Sequence, residues 1–151
     1  MSECSGHLGI AGGQYLDLNY EKKKVSRNKI IEMEMKKTGM LFSFCCVAPA
    51  IIKNKKNLEL RFFENVGSDI GLLFQISDDL IDHEGNSKIA GKKTGKDQKK
   101  GKATLISLLG YDNAVKYSKD LIINIDKKLQ KYGSNSKKIK HTLEYILNRD
   151  R

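Results

Sequence analysis

The sequence is poor in the residues that punctuate or staple small folds. Its 151 residues include one Pro and no Trp, which argues for long helices over a sandwich of short strands. Three Cys (Cys4, Cys45, Cys46) form an odd, sparse set without metal-ligand spacing, and this suggests a reducing, cytoplasmic setting. The longest apolar run, around Met40–Ile52, is interrupted by Ser43 and Pro49 and stops at Lys53. It falls short of the roughly 20 residues a membrane span needs, so no span is expected. Met1–Gly13 has neither the basic start nor the apolar core of a signal peptide. Acidic residues are outnumbered, 18 against 28 Lys and Arg, for a net charge of +10. Hydrophobic residues at 39% and charged residues at 30% are too near globular averages for a disordered chain. The length suits one unit with a real core.

Helical periodicity is widespread and period-two alternation is scarce, so the expected fold is all-α. Ser26 is placed to cap a helix running to about Val47, with Pro49 just beyond it. A second helix is expected from about Asn57 to His83, ending near the turn signal Gly85-Asn86. The apolar stretch Ala103–Leu109 ends at Gly110. Asp112 or Asn113 then caps a helix to about Tyr132, Gly133–Ser136 forms a loop, and Ile139–Leu147 closes the chain as a helix. Ser5–Gly13 is rich in Gly, a poor composition for a free helix because each interior Gly costs up to about 1 kcal/mol. Close packing against another helix explains it better.

Two constellations on these helices carry chemistry. At about 100° per residue, Gly71, Gln75, Asp78 and Asp82 fall within roughly 60° of one another, with Asp79 about 40° further round. Like charges one turn apart repel, and hard carboxylate oxygens without His or thiolate partners suit Mg²⁺, which shares its shell with waters and phosphates. A solvated acidic face is the plainer alternative, but Leu72, Leu73, Phe74, Ile76, Leu80 and Ile81 leave little of this helix polar. On the first helix, Lys37 falls inside the apolar stripe of Ile30, Met33, Leu41 and Phe44. It is either a lysine snorkelling from the core edge or one facing a cavity where it meets an anion, with Thr38-Gly39 supplying a hydroxyl and room for close approach.

Much of the positive charge lies in Ser87–Lys102, where seven lysines face one Asp, a net +6. The segment has no Arg and no aromatic residue, so it lacks bidentate base readout and stacking, and no nucleic-acid partner is expected. Lysines among glycines suit a small phosphorylated ligand. A P-loop is excluded, since Gly95-Lys96 and Gly101-Lys102 are followed by Asp97 and Ala103 rather than Ser or Thr. His7, His83 and His141 are scattered, Cys45-Cys46 are read as core packing, and the basic run Lys127–Lys140 as a solvated face.

Taken together, these segments resemble the C-terminal half of the trans-isoprenyl diphosphate synthases, the polyprenyl synthetase family of farnesyl and geranylgeranyl diphosphate synthases. Gly12-Gly13-Gln14-Tyr15-Leu16-Asp17-Leu18 resembles the family's GGQ-x-LDL, and Lys37-Thr38-Gly39 its KTG. Gly71 to Asp82 resembles the second aspartate-rich motif, G-x-x-FQ-x-x-DD-x-x-D. Gly91-Lys92, Gly95-Lys96-Asp97 and Gly101-Lys102-Ala103-Thr104 resemble GK-x-x-G-x-D followed by GK-x-T. One DDxxD alone is weak; four motifs in order, spanning nearly residues 1–151, are specific.

The resemblance implies a partial terpenoid-synthase-like helical bundle around a deep cavity, and condensation of isopentenyl diphosphate with an allylic diphosphate after Mg²⁺-assisted ionisation. By the same resemblance, Asp78 and Asp82 ligate Mg²⁺, with Asp79 in or just behind that set. Lys37, Lys92 and Lys102 bind the leaving diphosphate, Thr38 and Gln75 line the site near the developing cation, and Asp97 orients the lysine loop. The intact family enzyme is expected to be a homodimer. The family's first aspartate-rich motif and the isopentenyl diphosphate-binding Arg and Lys have no counterpart among these 151 residues. The chain is therefore expected to be a fragment, with Met1 internal to a longer frame and with no activity by itself. The alternative is a non-catalytic partner or regulatory subunit of a full-length synthase.

Overall fold

Apolar residues recur at three- and four-residue spacing through most of the chain, and each such stretch is helical in the computed structural model, which describes residues 1–21, 23–90 and 104–148. The elements are α1 (Ser2–Ser5), α2 (Ile10–Tyr20), α3 (Arg27–Glu34), a π-helical turn (Met35–Gly39), α4 (Met40–Ile52), α5 (Asn57–Ala90), α6 (Leu105–Leu109), α7 (Tyr111–Leu129), a 3₁₀ stretch (Gln130–Ser136) and α8 (Lys137–Asn148). No strand occurs among the described residues, as an all-α fold requires.

The centre of the bundle is α5. Leu73, Ile76 and Leu80 are fully buried on it and pack with Leu105 of α6, Ile125 and Leu129 of α7, and Leu143 of α8. The buried Ser77 hydroxyl donates to the Ile146 carbonyl at 2.6 Å, tying α5 to α8. On its other side α5 meets the α3–α4 rod through two glycines. A Cβ on Gly71 would stand 2.5 Å from the Gly39 Cα, and one on Gly67 would stand 2.6 Å from the Phe42 carbonyl oxygen. Backbone-to-backbone approach of this kind admits no side chain.

One of the N-terminal glycines makes a close contact between helices. A Cβ on Gly13 would lie 2.2 Å from the Lys37 backbone nitrogen, so α2 lies directly on the π turn. Gly13 alone of these glycines meets the α3–α4 rod; Gly6, Gly9 and Gly12 lie against the backbone of Ser2, Cys4 and His7.

Several boundaries differ from the sequence expectations. The first helix does not stop near Val47 but passes through Pro49 to Ile52. Pro49 is exposed in the last turn, and the helix continues past it although its missing N–H leaves the Cys45 carbonyl without its helical donor. The stop comes from Asn54, in the left-handed region at φ 49°. The Asn54 N–H donates to the Ile51 carbonyl at 2.9 Å and the Lys55 N–H to that of Ala50 at 3.0 Å, the paired bonds of a Schellman cap. The second helix runs past Gly85-Asn86 to Ala90; one interior Gly costs about 1 kcal/mol, too little to break a helix this long. His83 is thus internal to α5, its ring stacked on Tyr111 with centroids 5.4 Å apart. Cys45 is exposed and only Cys46 meets the core, because α5 covers one side of α4 and the two adjacent cysteines point different ways. The course Arg27–Ile52 is also long and apolar enough, by length and composition alone, to cross a membrane. Ser43 and Pro49 do not interrupt this helix, and length and composition alone establish no membrane span. The core helix of a soluble bundle passes the same test.

Candidate functional site

Three helices bring the site together. The π turn, a wider coil than the α-helix, turns consecutive residues of one rod toward two neighbours. Lys37 reaches α2, its Nζ 2.7 Å from Asp17 Oδ2. Thr38 reaches α5, its hydroxyl donating to Gln75 Oε1 at 2.9 Å. Gln75 Nε2 in turn donates to Asp79 Oδ1 at 3.3 Å. Because Gly13 and Gly71 hold α2 and α5 against this turn at van der Waals distance, the polar side chains beside them close on one cavity of about 420 Å³. Lys37, Thr38, Gln75, Asp78, Asp79 and Asp82 all line it.

The acidic strip is graded rather than uniformly buried. Asp82 is exposed, while Asp78 and Asp79 are half-buried, Asp79 with its Oδ2 fully covered and without a hydrogen-bond partner. Burial pushes the Asp79 carboxyl up to about 6, and the charges of Asp82 and Asp78 add to this, while the Gln75 hydrogen bond and Lys37 pull the other way. An uncompensated carboxylate held out of water favours its neutral form unless a cation joins it.

Three residues of the cavity had no role in the sequence reading. Asp17, within the GGQ-x-LDL segment, holds Lys37. Thr104 lines the cavity and opens α6, where its hydroxyl accepts from the Ser107 N–H at 3.1 Å and the Ser107 hydroxyl accepts from the Thr104 N–H at 3.1 Å. Glu34 is the most unusual: 1% exposed, one turn before Thr38, with its Oε2 buried and unpartnered. Burial pushes its carboxyl up to about 9, with the charges of Asp79 and Asp17 in the same direction and Lys37 opposing. The three-residue step from Glu34 to Lys37 places both on one helix face, a signal that spacing alone carries.

Lys92, Asp97 and Lys102 lie outside the described residues. Among those described, five carboxyl groups and one ammonium line the cavity. No three His, Cys, Asp or Glu side chains among them converge as a complete protein cage for a metal ion. The arrangement can take up a cation that brings its own further ligands, beside a lysine, a hydroxyl and an amide.

A family model described as polyprenyl synthetase matches residues 4–146. The farnesyl diphosphate synthase of Micrococcus luteus is 30% identical over 151 residues, covering 100% of this chain and 52% of that protein. That of Escherichia coli K12 is 32% identical over 155 residues, with the same coverages of 100% and 52%. An FPP/GFPP synthase from Zymomonas mobilis, solved without ligand, superposes with a TM-score of 0.80 at 33% identity, over 96% of this chain and 48% of that one. A geranyltransferase from Helicobacter pylori, solved with magnesium and isoprenyl diphosphate, shares the fold at a TM-score of 0.72 and 22% identity, over 97% of this chain and 48% of that one. The chain spans about half the length of the relatives it matches. With the motif order, the helical architecture and a family match over nearly its whole length, the chain belongs to the polyprenyl synthetase family.

Proposed function

We propose that this chain supplies the Mg²⁺- and diphosphate-binding half of a prenyltransferase site, one that joins isopentenyl diphosphate to an allylic diphosphate. The observation that carries the reading is the convergence of Lys37, Thr38, Gln75, Asp78, Asp79 and Asp82 on one cavity from two helices that meet through glycine. The residues fit magnesium: the donors are hard carboxylate oxygens, one of them buried and unpartnered at Asp79, and the lack of a full protein cage suits an ion that keeps waters and substrate phosphates in its shell. Asp78 and Asp82 would hold it, with Asp79 beside them. When bound, such an ion neutralises charge that builds on a departing diphosphate.

The chain's own groups do the remainder. Lys37, held at 2.7 Å by Asp17, presents an oriented ammonium to a phosphate oxygen. Thr38 and Gln75 form a short chain of hydrogen bonds ending on Asp79. That chain fixes the Asp79 carboxylate and sets dipoles where positive charge develops on an allylic carbon. Lys92 and Lys102 would add further ammonium groups to the diphosphate side, with Asp97 orienting their loop.

The reading assigns the 151-residue polypeptide one acidic face of a site that needs two, so it predicts no prenyl transfer by this polypeptide alone. The test is incubation with Mg²⁺, isopentenyl diphosphate and labelled geranyl diphosphate, with products separated by chain length. The reading expects the label to stay in the starting diphosphate. Longer labelled products would contradict the assignment of half a site.

A further inference from the structure

The cavity occupies one end of the α4–α5 pair; the opposite end carries a second feature that the diphosphate chemistry does not use and that stands independently of it. The Schellman cap at Asn54 holds a tight, ordered turn between α4 and α5. On it Ile51, Ile52 and Leu58 are 51%, 77% and 82% exposed, although two of them end an apolar helix that continued burial would favour. Around them are Lys53, Lys55, Lys56 and Arg61, all exposed, so residues 51–61 contain four cations and the single acid Glu59. Glu59 is engaged by Lys55 at 3.6 Å. Lys53, Lys56 and Arg61 have no ion-pair partner among the described residues. Beside the turn, Phe62 and Phe63 pack on Tyr132 with centroids 5.7 and 5.6 Å apart, and Lys131 lies 3.7 Å over the Phe62 ring. Another ammonium is thereby fixed at the same end.

We infer that this turn is a docking tip for an anionic lipid surface, with Ile51, Ile52 and Leu58 entering the headgroup boundary and the ring of Lys and Arg meeting acidic headgroups. Aliphatic side chains projecting from a cationic rim match that interface on both counts, apolar insertion and electrostatic attraction. A second copy of the chain fits poorly, because the tip would face its own charge. A nucleic acid fits poorly too: the exposed side chains are aliphatic, and the two rings at hand are packed against Tyr132. The geometry leaves the cavity usable. Asp78 lies 21 residues along α5 from Asn57, about 30 Å at 1.5 Å per residue, so a chain docked by its tip keeps the cavity in water.

The test is flotation of the full 151-residue chain with vesicles of phosphatidylcholine alone or mixed with phosphatidylglycerol. Binding is expected to the mixed vesicles only and to be released by salt. The double variants I52D/L58D and K53E/K56E should each lower the bound fraction about tenfold, with unchanged helical circular dichroism, since all four side chains are exposed. L18D alters another exposed apolar residue, on α2, and should leave binding as it was. Equal binding to neutral vesicles, an equal loss in L18D, or unaffected tip variants would overturn the inference. So would resistance to salt extraction, which would indicate insertion of the Arg27–Ile52 helix, or displacement from the vesicles by a short DNA duplex.

Discussion

Among the described residues, Glu34 carries the largest electrostatic anomaly. Its carboxyl ionises near 4.5 in water and near 9 in the folded protein, chiefly because it is buried. The sign follows from linkage. Below pH 4.5 the group is neutral in both states and contributes nothing. Between pH 4.5 and 9 only the unfolded chain releases the proton, so stability falls as pH rises. At pH 7 this amounts to about 3 kcal/mol. Glu34→Gln removes the titration while keeping the shape. It is expected to raise the unfolding free energy in urea by a few kcal/mol at pH 7 to 8 and to leave it nearly unchanged at pH 4; equal stability of the two proteins at pH 8 would contradict the burial argument. Lys37 shows what spacing can and cannot reveal about a residue. The helical wheel placed it in an apolar stripe and left two readings, snorkelling or facing a cavity. The structure has it lining the cavity, paired with Asp17 twenty positions away, a distance that no periodicity along one helix encodes.

At the scale of elements, the decisive piece is the five-residue π turn. Helical repeat predicts one straight helix through Met35–Gly39, and nothing in the residue types marks the wider coil there. Gly13 on one side and Gly71 on the other lie directly against its backbone. Alanine at either glycine places a methyl group against main chain, which can move only if the helices separate. Gly13→Ala and Gly71→Ala are each expected to cost about 1–3 kcal/mol, in the range of overpacked cores, measured by urea unfolding. Gly110→Ala meets no neighbouring atom, but its φ of 81° and ψ of 160° lie in a region essentially reserved for glycine, so a loss of about 1–3 kcal/mol is expected there from backbone strain alone. If Gly71→Ala were as stable as the parent, the close approach of α5 to the π turn would be wrong. Element existence was readable from the sequence because amphipathic spacing is local. Two ends were misread because the helices run on through the breakers Pro49 and Gly85, whereas Asn54, the actual stop of α4, differs from an ordinary loop Asn in its backbone conformation.

At the scale of the molecule, the motifs proved more informative than composition. A net charge of +10 invited nucleic acid. Its distribution instead separates a lysine-rich stretch adjoining the acidic strip in sequence from a basic tip at the far end of α5. The family, the helical class and the lining residues Lys37, Thr38, Gln75, Asp78, Asp79 and Asp82 were all legible in order and spacing. Asp17, Glu34 and Thr104 were not singled out, because their part in the cavity depends on how α2, α3 and α6 converge. The central claim is that these residues form a site for a diphosphate with magnesium, and calorimetric titration of the chain with inorganic pyrophosphate tests it most directly. The account predicts saturable binding at pH 8 that requires Mg²⁺, is lost in D78N/D82N, and weakens at least about tenfold in K37A, the scale of one charge-assisted contact. Pyrophosphate binding that is indifferent to Mg²⁺, or that survives unchanged in D78N/D82N, would contradict it.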